Sequence, residues 1–114
     1  MTSEKFKLAV LVSGNGSNLQ AIIDCIEKNY LAAEISLVLS NVKDAYALER
    51  GKKHGLEVVF LDPKIPPNRA NYEQKIIDLL LSKSIDLICL AGFMQILGKK
   101  FIEAFPGKII NIHP

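Results

Sequence analysis

Residue types suited to chemistry fall in three short stretches of this 114-residue chain. The first is Ser13-Gly14-Asn15-Gly16-Ser17-Asn18, where two glycines sit among four polar side chains. It follows the apolar run Leu8-Ala9-Val10-Leu11-Val12 and precedes Leu19, Ile22, Ile23 and Ile26, which recur at helical spacing. A strand, a glycine-rich turn and a helix in that order make an anion site. The first helical N–H groups have no intrahelical partner, and the helix dipole adds positive potential there. Without Cβ atoms, Gly14 and Gly16 allow positive φ and a close approach of phosphate, while Ser17 and Asn18 supply further donors. A plain strand-to-helix turn that binds nothing is the bland alternative.

The second stretch is Asn111-Ile112-His113-Pro114. On a strand, Asn111 and His113 share one face and Ile112 points the other way, while Pro114 stops the ladder. An amide beside an imidazole suits acyl transfer: the amide donates to a developing oxyanion and the imidazole moves a proton near neutral pH. An asparagine closing a turn beside a surface histidine would look the same. The third stretch, Ala91-Gly92-Phe93-Met94-Gln95-Ile96-Leu97, leaves a buried strand and stays apolar. It lines either a slot for a flat ring or a core-facing connection.

The kind of phosphate is narrowed by what the loop lacks. Leu19 stands where a dinucleotide fingerprint needs its third glycine, and the second strand ends Leu39-Ser40-Asn41 with no carboxylate for a ribose hydroxyl. No G-x-x-x-x-G-K-[ST] is present, which leaves a single phosphate, as on a phosphoribosyl compound. A net charge of +2 argues for neither nucleic acid nor membrane, and no apolar run reaches the ~18 residues of a membrane helix. Lys52-Lys53-His54 and Lys99-Lys100 read as solvated helix faces. Cys25 and Cys89 make no ligand pattern and are expected to be small buried hydrophobes in a reducing compartment. Met1 to Lys5 leads straight into the first strand, so no signal peptide is expected and the assignment is cytoplasmic.

The elements that must position these stretches alternate. Strands are expected at 6–12, 33–40, 56–61, 86–91 and 108–112. Helices are expected at 17–28, from an Asp44 cap to His54-Gly55, from an Asn68 cap through Tyr72, Ile76, Leu79 and Leu80, and at 99–105. Asp62 to Pro67 is a proline-rich loop. Such alternation implies right-handed crossovers and an α/β fold: a Rossmann-like doubly wound, mostly parallel sheet in the order 3-2-1-4-5. Ligands of such sheets sit at the carboxyl ends of the strands, where all three stretches converge. Residues 1–114 are read as a single phosphate-binding α/β domain.

Taken in order, SGNGSNLQAII, SN at the second strand end, AGFM-x-IL and NIHP resemble the folate-dependent phosphoribosylglycinamide formyltransferases of purine biosynthesis. The resemblance runs from about Lys7 to Pro114. It implies the amino-terminal half of the formyltransferase fold and a cytoplasmic one-carbon transferase. The reaction it implies moves a formyl group from 10-formyltetrahydrofolate, as cosubstrate, to the amine of phosphoribosylglycinamide, with no metal. By the resemblance Gly16, Ser17 and Asn18 hold the substrate phosphate. Arg69, Met94, Gln95, Ile96, Leu97 and Asn111 contact the folate, and Asn111 and His113 are catalytic. On its own Arg69 reads as a solvated helix-start arginine. Gln95 departs from an expected arginine, which matters only if contact is through the side chain. The family continues beyond NIHP to an aspartate that tunes the histidine, so the chain is expected to be an incomplete amino-terminal half, inactive alone. The partners implied are these two small molecules, without nucleic acid or membrane. Two other readings stand beside this one: a non-catalytic phosphate-binding module, and a relative acting on methionyl-tRNA or hydrolysing formyltetrahydrofolate.

Overall fold

Five consecutive residues of the first strand, Leu8 to Val12, are buried, and this strand is the centre of the sheet. A computed structural model describes residues 6–64, 69–95 and 97–112, with the backbone alone at 69 and 70. In chain order the elements are β1 (Phe6–Val12), α1 (Ser17–Glu27), β2 (Ala33–Ser40), α2 (Tyr46–Lys53), β3 (Val58–Phe60), α3 (Arg69–Ser82), β4 (Leu87–Ala91), α4 (Lys99–Ala104) and β5 (Ile109–Ile112). The strands pair in the expected order β3-β2-β1-β4-β5, and every pair is parallel rather than most of them. Hydrophobic cover on both faces explains why β1 has no polar alternation.

Alternate residues of β1 feed two cores. Leu8, Val10 and Val12 join Leu19 and Ile23 of α1, while Ala9 and Leu11 join Ile76 and Leu80 of α3 and Phe101 of α4. In β2 the frame changes: Ile35 and Val38 share the α1 side and Leu37 and Leu39 the α3 side. The β1–β2 register shifts between Leu8 and Ala9, so Ser36 is the extra residue of a bulge that moves the alternation by one. Each fully buried Leu or Ile contributes about 1.5–3 kcal/mol.

Several expected boundaries move for visible reasons. Strand β3 is three residues rather than six, because Leu56 N donates to Gly51 O (2.9 Å) and belongs to the end of α2. Gly55, expected to stop that helix, has a φ of +73°. Asp44 is exposed and does not cap α2; Ala45 is its N-cap, and no side chain bonds there. On α1, Cys25 is exposed, contrary to expectation, because it lies about 200° around the helix from buried Ile23. Cys89 is buried in β4, and burial raises its thiol pKa. The Asn68 cap and the second half of the proline-rich loop, 65–67, lie outside the described residues. No helix among the described residues is long and apolar enough to cross a membrane.

Candidate functional site

The carboxyl ends of β1, β2 and β4 are tied together by Ser13, which is buried. Its Oγ donates to Asn41 Oδ1 (2.5 Å) and accepts from Met94 N (2.6 Å), and its backbone N donates to Gly92 O (3.3 Å). Asn41 therefore acts as a brace between strand ends, in a place where a dinucleotide site would carry an acid. Two hollows open beside this brace.

The first, about 150 Å³, is lined by Gly14, Asn15, Gly16, Ser17, Asn18 and Gly92, with Val12 and Ala91 at its floor. Gly16 is the N-cap of α1 at φ +85°, ψ +26°; it has no side chain to cap the helix, and no acidic residue lies in the first turn. The first amides of α1 and the helix dipole are thus left for an external anion. Positive φ occurs at Gly16 and not at Gly14, which corrects the expectation that both glycines serve the turn this way. Close approach is the second reason for Gly16: a Cβ there would lie 2.7 Å from the Ala47 Cβ of α2. Ser17 is exposed and Asn18 half-buried on the rim.

Helix α2 holds this loop at each of three residues. Ala47 N donates to Gly14 O (3.3 Å), and Ala47 packs on Gly16. One turn on, Arg50 Nε donates to Asn15 O (2.8 Å) and Nη2 to Asn15 Oδ1 (2.6 Å), with Nη1 on Gln20 Oε1 (3.1 Å). The guanidinium also sits over the Tyr46 ring, 4.7 Å from its centroid. Neither Asn15 nor Arg50 was singled out from sequence. The available signal was a small residue followed three positions later by arginine, on the helix after next from a glycine loop.

The second hollow, about 250 Å³, is a slot between the 92–98 loop, α4 and the β4–β5 edge. Phe93, Leu97, Phe101 and Ile109 make its apolar wall, and Gln95 and Asn111 bring amides to it. Of the expected folate contacts, Gln95, Leu97 and Asn111 come together here, whereas Met94 is 78% exposed and takes part through its backbone N. Asn111 faces this slot, and Ile112 packs on the opposite core, as strand alternation requires. Buried Glu73 of α3 accepts from Gly98 N (3.0 Å) and anchors the far end of the loop. His113, Pro114 and Ile96 lie outside the described residues, and Arg69 is placed only as the first backbone residue of α3. A flat ring with amide-like edges fits a slot of hydrocarbon walls and two amides. A larger cavity of about 510 Å³ lies between Ile22 of α1 and Ile110 and Ile112 of β5, but its lining is hydrocarbon and offers a polar substrate nothing to bind. Among the described residues no three His, Cys, Asp or Glu side chains are grouped to hold a metal.

The family model described as formyl transferase matches residues 6–114. The chain belongs to that family. Among formyl transferase relatives it is 47% identical over 109 residues to phosphoribosylglycinamide formyltransferase of Haemophilus influenzae, covering 95% of this chain and 51% of that protein. It is 41% identical over 112 residues to the human trifunctional purine biosynthetic protein adenosine-3, covering 97% of this chain and 11% of that one. Its backbone is similar to that of glycinamide ribonucleotide transformylase 1 from Symbiobacterium toebii (TM-score 0.92, 35% identity, 99% of this chain and 53% of that one). It is likewise similar to phosphoribosylglycinamide formyltransferase from Coxiella burnetii (TM-score 0.93, 42% identity, 97% of this chain and 52% of that one). The chain spans about half the length of these bacterial relatives.

Proposed function

We propose that this chain is the acceptor- and donor-binding part of an enzyme that moves a formyl group from 10-formyltetrahydrofolate to the amine of phosphoribosylglycinamide. The observation that carries this reading is the joining, through Ser13 and Gly92, of a hollow sized for one phosphate to an amide-bearing ring slot. Relatives named for that activity support the choice of substrates.

In this reading the acceptor's phosphate rests on Gly16, Ser17 and Asn18 at the start of α1. The folate ring enters the slot beside Gln95 and Leu97, with Met94 and Ile96 on the same loop and Arg69 at the start of α3 as further contacts. Binding both molecules along one strand edge brings amine and formyl carbon together, which converts a bimolecular reaction into a local one. The amine attacks the formyl carbon, and the carbonyl electrons move to oxygen. Asn111, on the slot side of β5, donates to that oxyanion, and His113 moves the proton from the attacking amine to the departing folate nitrogen.

The test is His113→Ala in the full-length protein. Turnover should fall by about 10²–10⁴-fold, the usual contribution of a general acid–base residue, with phosphoribosylglycinamide binding retained. Unchanged turnover would refute the catalytic role. Formylation of initiator tRNA in preference to phosphoribosylglycinamide would refute the acceptor.

A further inference from the structure

We propose that Arg50 is a positioning residue for the phosphate hollow, acting through Asn15 and so favouring a phosphorylated acceptor. The proposal rests on the phosphate reading of the loop. Arg50 stands on α2, yet two of its nitrogens are engaged by one loop residue: Nε with Asn15 O and Nη2 with Asn15 Oδ1. Its third contact, Nη1 with Gln20 Oε1, fixes it to α1, and the Tyr46 ring supports the guanidinium plane. Its stem lies against the turn as well, since a Cβ on Gly16 would come 3.3 Å from Arg50 Cδ.

The consequence is chemical. An asparagine amide can present either its oxygen or its NH2 group. With Oδ1 held by a cation at 2.6 Å, the Asn15 amide is fixed in orientation, and its NH2 group is the donor it can offer a ligand in the hollow it lines. A phosphate needs donors, so the clamp orients the amide the useful way. It also holds a permanent positive charge beside the loop. Lysine would keep the charge but cannot reproduce a two-pronged contact, which lets the two effects be separated.

The experiment uses the full-length protein with Arg50→Met, Arg50→Lys and Asn15→Asp. Ribose 5-phosphate binding by calorimetry is measured beside steady-state kinetics for both substrates. Arg50→Met should weaken ribose 5-phosphate and raise KM for phosphoribosylglycinamide by about tenfold, the scale of one hydrogen bond to a charged group. The KM for the formyl donor and kcat should stay within about twofold, well under the tenfold that 1.4 kcal/mol represents. Arg50→Lys should recover less than half of the loss on a logarithmic scale. Asn15→Asp keeps an acceptor for Arg50 but has no NH2 group. It should bind ribose 5-phosphate at least as weakly as Arg50→Met, with no drop in thermal midpoint.

Unaltered binding in Arg50→Met or in Asn15→Asp would overturn the proposal. So would full recovery in Arg50→Lys, because charge alone would then suffice. A wild-type protein that binds ribose 5-phosphate but transfers no formyl group would sink the proposed reaction and leave the clamp standing. A wild-type enzyme whose variants bind phosphate normally would sink the clamp alone.

Discussion

Replacing Gly16 by alanine tests whether the anion loop has its shape for the two reasons found in the structure. The residue sits at φ +85°, where an L side chain costs roughly 1–2 kcal/mol. The new Cβ would lie 2.7 Å from Ala47 Cβ and 2.9 Å from Ala47 Cα, both well inside a normal carbon contact of about 3.5–4.0 Å. Ala47 is fully buried on helix α2, so relief requires moving backbone, and overpacking of this kind costs about 1–3 kcal/mol. The two terms together predict a loss of about 2–5 kcal/mol. Gly14, two residues earlier, provides the control. It is exposed, lacks positive φ, and an added Cβ meets no atom within 4 Å, so Gly14→Ala should stay within about 0.5 kcal/mol of wild type. Urea unfolding of both variants in the full-length protein gives the two numbers. Near-equal stabilities for Gly14→Ala and Gly16→Ala would refute the argument, whichever way each moved.

Two further perturbations probe the scaffold. At Gly51 of α2 an alanine gains up to about 1 kcal/mol in helix propensity, but its Cβ would sit 2.6 Å from Val58 Cγ1 on stiff, β-branched Val58, at an overpacking cost of about 1–3 kcal/mol. Gly51→Ala should therefore destabilise, and the sign should reverse in a Val58→Ala background; a destabilisation that persists there would place the fault elsewhere than β3. Tyr72 is buried, and its hydroxyl has no hydrogen-bond partner among the described residues; burial, then the charge of Asp62, pushes its pKa up to about 12 from 10.0. The folded state keeps the phenolic proton after the unfolded chain has released it, so this contribution is full below pH 10 and is lost as pH rises through about 12. Tyr72→Phe should raise stability at neutral pH by about 1 kcal/mol and flatten the fall between those pH values; an equally steep alkaline limb in thermal melts would contradict it.

What could be read from sequence divides by the range of the physics involved. β1 declared itself residue by residue because a continuous apolar run needs cover on both faces, β2 because its apolar residues alternate from Ala33 to Leu39, and the strand order is that of a doubly wound sheet with right-handed crossovers. The bulge at Ser36 did not, because Ala33, Ile35, Leu37 and Leu39 read as one unbroken two-residue alternation, which hides a frame shift between Ile35 and Leu37. The Asp44 cap was a sound local inference defeated by tertiary contact: Gly14 O takes the Ala47 amide, and α2 begins where it can meet the loop. The same cause explains the site. Glycines, the two amides of the slot and the strand ends on which they sit are local signals, and topology brings strand ends to one edge unaided. Arg50 is 35 residues from Asn15, and on a helix with basic neighbours it reads as a solvated cation. Its role depends on a crossover placing α2 beside α1, a relation that composition and periodicity do not encode. The residues proposed to touch a ligand thus announce themselves by type and strand position, whereas Arg50, proposed to shape their loop, becomes visible only once the helices are packed.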